Sequence, residues 1–246
     1  MADDIHTLDI AANDRWPERA ADVMAAAINS AIERSGRCLM ALSGGSTPAP
    51  VFESLAGRDL LWERVTILQV DERVVPADDD ARNLRQQKQA FANLGVNWLP
   101  LPVDELVEGG SEAGSSDAGD FETRAAEVAD RFGRELAELA DDPPQLDLVH
   151  LGLGDDGHTA SLLPGDPLVD ELRNYVGFTG EYRGARRMSL TRPVLDRAKM
   201  VVWLVSGSNK AEPLGRLLSG DMSIPAGLVR PPHSVVLADA DAARQE

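Results

Sequence analysis

Short apolar runs alternate along this chain with segments in which apolar residues recur every three to four positions. The apolar runs have the length and β-branched composition of buried strands, and they are IHTLDI, RCLMAL, VTILQV, LDLVHLGLG, NYVGFTG, MVVWLVSG and HSVVLAD. The segments with helical spacing are PERAADVMAAAINSAIERSG, TPAPVFESLAG, Asn83–Asn93 and NKAEPLGRLLSG. In the first helix Pro17 lies at the start and Gly36 at the end, and in the second Thr47 and Pro48 are the predicted cap and first-turn residues.

This alternation of strand and helix predicts an α/β fold, a doubly wound, mostly parallel sheet with helices on both faces. Near-continuous apolar strands such as MVVWLV fit a sheet that is covered on each side. No linker divides the sequence, so we expect one domain over residues 1–246. The stretch at 108–120 is rich in Gly, Ser and acidic residues and predicts a flexible surface insertion.

Composition and charge exclude several classes of function. The formal net charge is −17, which opposes binding to nucleic acid or to an anionic membrane. No apolar run is long enough for a membrane span, and the acidic MADDIHTLDI is not a secretory signal, so we expect a cytoplasmic protein. Cys38 is the one cysteine, and no Cys/His set has metal-ligand spacing. The sequence does not determine the oligomeric state, and a monomer or a small homo-oligomer is compatible with it.

Polar segments directly follow four of the predicted strands. Because ligands of open α/β sheets bind at the carboxyl ends of strands, these segments are expected to meet at one site. They are SGGST, DER, GLGDDGH and SGSNK.

Two of these segments predict anion binding. Ser43–Pro48 offers the glycines Gly44 and Gly45, backbone N–H groups at a helix start, and the hydroxyls of Ser43, Ser46 and Thr47. Lys210 lies at another helix start, where a cation is unfavourable unless an anion accompanies it. Arg186 and Arg187 add charge nearby, and the sequence leaves open which of them faces the site.

The other two segments predict acid–base chemistry. We predict that His158 lies in the first turn of a helix, where the dipole favours the neutral imidazole that can accept a proton. Asp155 or Asp156 is close enough to orient its ring. In DER, Asp71 and Arg73 lie two residues apart and face the same way if the chain is extended.

SGGSTP, DER, GLGDDGHTASLLP, RRMSLT, SGSNKAE and IPAGLVRP, in this order, resemble the 6-phosphogluconolactonase family, within the superfamily that includes glucosamine-6-phosphate deaminase/isomerase. The resemblance implies a Rossmann-like domain that hydrolyses a phosphosugar lactone, the second step of the oxidative pentose phosphate route, without metal or organic cofactor. It implies that His158 is the general base beside Asp156, and that Arg73 and Asp71 belong to the catalytic site. It implies sugar-phosphate binding by a set comprising Gly44, Gly45, Ser46, Thr47, Lys210 and Arg187.

Two alternatives remain open in the sequence. A deaminase/isomerase motif is similar to GHIAFNEP, whereas this chain reads GHTASLLP, so that Leu163 stands at the position of the proton-carrying glutamate. The deaminase/isomerase also has DEY where this chain has DER, at Asp71–Arg73. A non-catalytic sugar-phosphate sensor domain would keep the anion site and could lose the base.

Overall fold

The computed structural model describes residues 6–107 and 118–244. The strands are β1 (Thr7–Ala11), β2 (Cys38–Leu42), β3 (Val65–Gln69), β4 (Asp71–Arg73), β5 (Asn97–Trp98), β6 (Leu148–Gly152), β7 (Val176–Phe178), β8 (Arg187–Leu190), β9 (Val201–Val205) and β10 (Ser234–Asp239). The helices are α1 (Trp16–Ser35), α2 (Ala49–Ala56), α3 (Asn83–Ala90), α4 (Asp104–Val107), α5 (Ala118–Ala140), α6 (Arg192–Arg197), α7 (Ala211–Leu218) and α8 (Pro225–Leu228).

Seven strands form one parallel sheet in the order β1-β10-β9-β6-β2-β3-β5. Every residue of β2 and β9 is buried, as their uninterrupted apolar sequence predicts. The chain winds outward in both directions from the centre of the sheet, so the predicted doubly wound α/β class is confirmed. The carboxyl ends of β2, β6 and β9 lie side by side and define the edge on which the site is built.

Alternate residues of each strand point to opposite faces, and each face has its own apolar core. On β2, Leu39 and Ala41 pack in the core that includes α5 and α7, whereas Met40 and Leu42 pack in the core with α1 and α2. Helices therefore cover both faces. Helix α1 has Pro17 in its first turn, and Gly36 ends it in the left-handed conformation at φ 74°.

The DER segment and two later segments form a small second sheet that the sequence did not predict. Strand β4 pairs antiparallel with β8, and β8 pairs antiparallel with β7, so the NYVGFTG strand lies outside the parallel sheet. Only Val70 separates β3 from β4, and its backbone bonds to Leu42 on one side and Leu190 on the other. The chain thus passes from one sheet to the next without a turn that the pattern could reveal.

The helix predicted at His158 is absent, and this correction removes the argument from a helix dipole. The chain turns there, with an isolated bridge between Thr159 and Leu162. Gly157 at φ 80° and Ala160 at φ 50° have left-handed backbones that a right-handed helix cannot include.

Two further helix boundaries differ from the predicted ones. Helix α3 ends at Ala90, because Phe91 leaves the helical conformation and Asn93 has φ 65°. Helix α2 has Pro48 as its N-cap, without a side-chain cap from Thr47. Of the predicted insertion, residues 108–117 lie outside the described residues, and from Ala118 onward the chain is helical.

Candidate active site

A cleft of about 240 Å³ opens at the carboxyl ends of the central strands. All four polar segments that follow strands contribute to its wall, together with β8 of the second sheet. The predicted residues that line it are Ser43, Gly44, Gly45, Ser46, Thr47, Asp71, Arg73, His158, Arg187 and Lys210. Asp156 does not line the cleft, but it contacts the ring of His158, which does.

The glycine turn after β2 is shaped by close approach to the loop before α3. A Cβ on Gly44 would lie 2.0 Å from Asn83 Oδ1, so only glycine fits at this position. Gly45 has φ 112°, and its N–H donates to Gln86 Oε1 at 3.0 Å. That N–H is therefore already hydrogen-bonded within the protein, and the other N–H and hydroxyl donors of Ser43–Pro48 remain for the predicted binding of an anion.

His158 and Asp156 form a pair at the cleft. Asp156 Oδ1 lies 2.5 Å from His158 Nδ1 and also accepts the backbone N–H of His158 at 3.1 Å. Burial disfavours ionisation, but the hydrogen bonds from His158 outweigh it and hold the pKa of Asp156 below its usual range. An ionised Asp156 accepts the proton on Nδ1, which leaves Nε2 as the basic nitrogen. Of the two adjacent aspartates, the structure pairs Asp156 with the ring.

Tyr182 contacts this pair and was missed by the sequence analysis. Its ring meets the His158 ring edge-on at 6.0 Å between centroids, and its hydroxyl donates to Asp156 Oδ2 at 3.4 Å. The guanidinium of Arg187 lies 5.1 Å from the centre of the same tyrosine ring. Tyr182 stands in a loop with no periodic pattern, so no signal in the sequence marks it.

Asp71, at the start of β4, also lines the cleft. Its Oδ2 accepts the hydroxyl of Ser161 at 2.5 Å and lies 3.9 Å from Arg187 Nη1. Arg187 and Asp71 are nearly buried, and burial lowers the pKa of Arg187. Of the two arginines, Arg187 lines the cleft, whereas Arg186 does not and pairs with Glu122.

The other two residues of DER have different surroundings. Glu72 is fully buried and accepts the backbone N–H groups of Arg73, Asn83 and Leu84 at 2.7–2.9 Å. Burial raises the pKa of Glu72, while those hydrogen bonds oppose the rise. Arg73 donates to the Ala81 carbonyl at 2.5 Å and to Asn83 Oδ1 at 2.9 Å, so its guanidinium is held at the cleft.

Lys210 makes an ion pair that the sequence did not predict. Its ammonium group bonds to Asp155, which also accepts a hydrogen bond from Asn209 at 2.9 Å. The hydrogen bond from Lys210 lowers the pKa of Asp155. Asp155, the first of the two aspartates in the motif, therefore neutralises the lysine that was expected to hold an anion.

His150 lies under the cleft, on β6. It is fully buried, packs edge-on against Phe52, and has no hydrogen-bond partner for either ring nitrogen among the described residues. Burial lowers the pKa of His150 to about 3, so the ring is neutral.

In the part of the chain that the structure describes, no group of three or more His, Cys, Asp or Glu side chains is placed to hold a metal ion. No helix in this part is both long and apolar enough to cross a membrane.

The sequence matches the family model described as glucosamine-6-phosphate isomerases/6-phosphogluconolactonase over residues 11–238. The chain belongs to this family. Among its relatives, a 6-phosphogluconolactonase from Synechocystis sp. is 33% identical over 89% of this chain and 88% of its own length. One from Rhizobium meliloti is 35% identical over 83% of this chain and 84% of its own length.

The fold of the family is also found in solved structures. The crystal structure of 6-phosphogluconolactonase from Leishmania guyanensis superposes with a TM-score of 0.81 and 25% identity, over 97% of this chain and 98% of that one. The Rossmann-like class that the motifs imply is therefore confirmed.

Proposed function

We propose that this protein hydrolyses 6-phosphoglucono-δ-lactone to 6-phosphogluconate, with His158 as the general base. The observation that carries the proposal is the pair of His158 and Asp156, 2.5 Å apart at the mouth of a cleft lined by Lys210, Arg73 and Arg187. A base beside several cations suits an anionic ester substrate. Membership of the family and the names of the relatives support the same activity.

The chemistry begins with a water molecule held by Nε2 of His158. The water oxygen attacks the lactone carbonyl while its proton passes to Nε2. Asp156 stabilises the imidazolium that forms, because its carboxylate remains bonded to Nδ1. Collapse of the tetrahedral intermediate breaks the bond to the ring oxygen, which takes the proton from the imidazolium and becomes the C5 hydroxyl. The product is the open-chain carboxylic acid, which loses its proton to solvent near neutral pH to give the carboxylate, and the base returns to its neutral form.

Charge develops on the carbonyl oxygen during the attack. Arg73 is the guanidinium best held to meet it, because Ala81 and Asn83 restrain the side chain before substrate arrives. The 6-phosphate binds at the turn of Ser46 and Thr47, with Lys210 and Arg187 as cations. This remote contact orients the lactone toward His158.

The deaminase/isomerase reaction is less well supported. It needs an acid–base group that moves a proton between substrate atoms, and the position of that glutamate is occupied here by Leu163. The Leu163 side chain is 4% exposed and cannot carry a proton. A lactonase needs only activated water and a stabilised oxyanion.

The test is a coupled assay on freshly generated 6-phosphogluconolactone, with the spontaneous hydrolysis subtracted. His158→Ala is expected to lower kcat by about 10²–10⁴-fold, the contribution of a general base. His233→Ala is the matched control, because His233 is exposed at the amino end of the sheet. Full activity of His158→Ala would refute the assignment of the base. Ammonia release from glucosamine-6-phosphate would favour the deaminase, and binding without turnover would favour the sensor.

A further inference from the structure

The loop between β7 and β8 is closed by a two-residue turn that presents an arginine. Tyr182 and Ala185 exchange backbone hydrogen bonds, with N···O distances of 3.0 Å and 3.4 Å. The two central residues, Arg183 and Gly184, have φ values of 51° and 82°. Positive φ at both central positions is the signature of a type I′ turn.

Arginine is an unusual residue at the first central position of this turn. Side chains with a Cβ are strained at positive φ, and Asn or Gly is the usual solution. An arginine there works against the local backbone preference. Such outliers cluster at functional sites, where the side chain serves a purpose that the turn does not need.

The location of Arg183 indicates that purpose. It lines the cleft of His158 and also an adjoining cleft of about 630 Å³, and Gly45, Ser46 and Arg187 line both clefts with it. The turn and the glycine loop after β2 therefore flank the same space.

Arg183 makes no ion pair within the described residues. Its guanidinium carbon lies 5.1 Å from the centre of the Tyr182 ring, and its charge acts at longer range with that of Lys210 to lower the pKa of Asp155. The nearby carboxylates are committed elsewhere, since Asp155 pairs with Lys210 and Asp80 with Arg85. An unpaired guanidinium on the wall of a cleft, in a chain with a net charge of −17, is suited to an anion from outside the protein.

We propose that Arg183 is a ligand of the substrate's phosphate group, which it approaches from the side opposite Gly45 and Ser46. The inference rests on the proposed function for the identity of the phosphate ester. The planar guanidinium fork can make two hydrogen bonds to phosphate oxygens, and its place on an exposed turn leaves the phosphate accessible from solvent. The hairpin turn thereby selects phosphorylated over unphosphorylated lactones.

The decisive variant is Arg183→Asn, because asparagine suits the left-handed backbone and removes the cation without damaging the turn. Arg183→Lys keeps the charge but loses the fork. Arg186→Asn is the matched control: it removes one positive charge from the same hairpin, but one that is paired with Glu122 and stacked on Phe121 at 4.3 Å. Each variant is assayed with 6-phosphogluconolactone and with glucono-1,5-lactone, and the Kd of 6-phosphogluconate is measured by calorimetry.

We expect Arg183→Asn to raise both the KM for the phosphorylated lactone and the Kd of 6-phosphogluconate about tenfold. This factor corresponds to the free energy of one lost charge-assisted hydrogen bond. We expect kcat within about twofold of wild type, since no reacting atom is touched. The KM and Kd of Arg183→Lys should lie between those of wild type and Arg183→Asn, and those of Arg186→Asn should match wild type. Rates with glucono-1,5-lactone should not change, and Tm should be equal to or above that of wild type.

Three results would overturn the inference. The first is an unchanged KM and Kd in Arg183→Asn, and the second is an equal loss with both lactones. The third is a wild-type protein that does not bind 6-phosphogluconate. If wild type binds 6-phosphogluconate but does not hydrolyse the lactone, the proposed function fails while the calorimetry still decides the role of Arg183.

Discussion

Gly154 is the residue at which a single added carbon tests the geometry of the His158 ring most directly. Its backbone lies outside the left-handed region, so alanine can adopt the same conformation without strain. Its N–H donates to the His158 carbonyl at 2.8 Å, which draws the two residues together. We predict that Gly154→Ala folds and inactivates the enzyme.

The expected loss follows from the distances. A Cβ on Gly154 would lie 2.1 Å from His158 Nδ1, 2.3 Å from Cε1 and 2.7 Å from Cγ. Ordinary contact begins at 3.4 Å, so the ring must move by about 1.3 Å. That movement breaks the 2.5 Å contact with Asp156 and takes Nε2 away from its water. A displacement of about 1 Å in a catalytic group costs about 10²-fold in rate, so kcat should fall by at least about that factor.

The assay is the lactone turnover described above, with Tm and the Kd of 6-phosphogluconate measured on the same preparations. Gly215→Ala is the matched control, because Gly215 lies within α7 and a Cβ there meets nothing within 4 Å. It should keep full activity and gain about 0.5–1 kcal/mol of stability from its helical position.

Two outcomes would refute the reasoning about Gly154. If Gly154→Ala retains wild-type kcat, then either the ring can act from a displaced position or His158 is not the base. If it loses activity only because it fails to fold, with Tm far below that of Gly215→Ala, then the contact is structural.

Three other predictions follow from the contacts of the site. Asp156→Asn should lower kcat about 10²–10⁴-fold with KM little changed, because the amide favours the wrong tautomer of the imidazole that it contacts; unchanged kcat would contradict this. Asp155→Asn should lower KM several-fold, because it removes the carboxylate that pairs with Lys210 and repels an anionic substrate; a raised KM would mean that Asp155 chiefly positions the lysine. His150→Leu should be more stable than wild type, because two buried ring nitrogens without partners are removed. Because the folded pKa of His150 is lowered to about 3, the unfolded chain binds the proton first as pH falls from about 6.5. Wild-type stability should therefore decline by up to about 1.4 kcal/mol per pH unit over that window, and the decline should be smaller in the variant. Denaturation at pH 7 and pH 5 checks both statements, and identical curves would mean that the ring has a partner, such as a bound water.

The convergence of the site could be predicted because it depends only on the order and direction of strands. Ser43 follows β2, Gly152 ends β6 and Ser206 follows β9, and parallel strands bring their carboxyl ends to one edge. The error at His158 has a local cause. The apolar residues that follow His158 are compatible with a helix, but Gly157 before it and Ala160 after it have left-handed backbones that turn the chain.

Partner choice within the site could not be read from spacing. Asp155 and Asp156 are neighbours, yet one binds Lys210, 55 positions away, and the other binds His158, two positions away. Residues adjacent in sequence face different directions once the loop is folded, and only the folded loop shows which direction each takes.

The sequence by itself determined the strands of the main sheet, apart from β5, and the chemistry that they bring together. Apolar periodicity specified these buried strands and the helices α1, α2 and α7, and polar residues at strand ends specified where a ligand could bind. Tertiary structure alone decided the antiparallel second sheet, the contact of Tyr182 with His158, and the bond from Ser161 to Asp71 across 90 positions. The physical reason is that each of these contacts joins segments distant in the chain. Its energy depends on burial and alignment that exist only after the main sheet has formed, and no local preference encodes it.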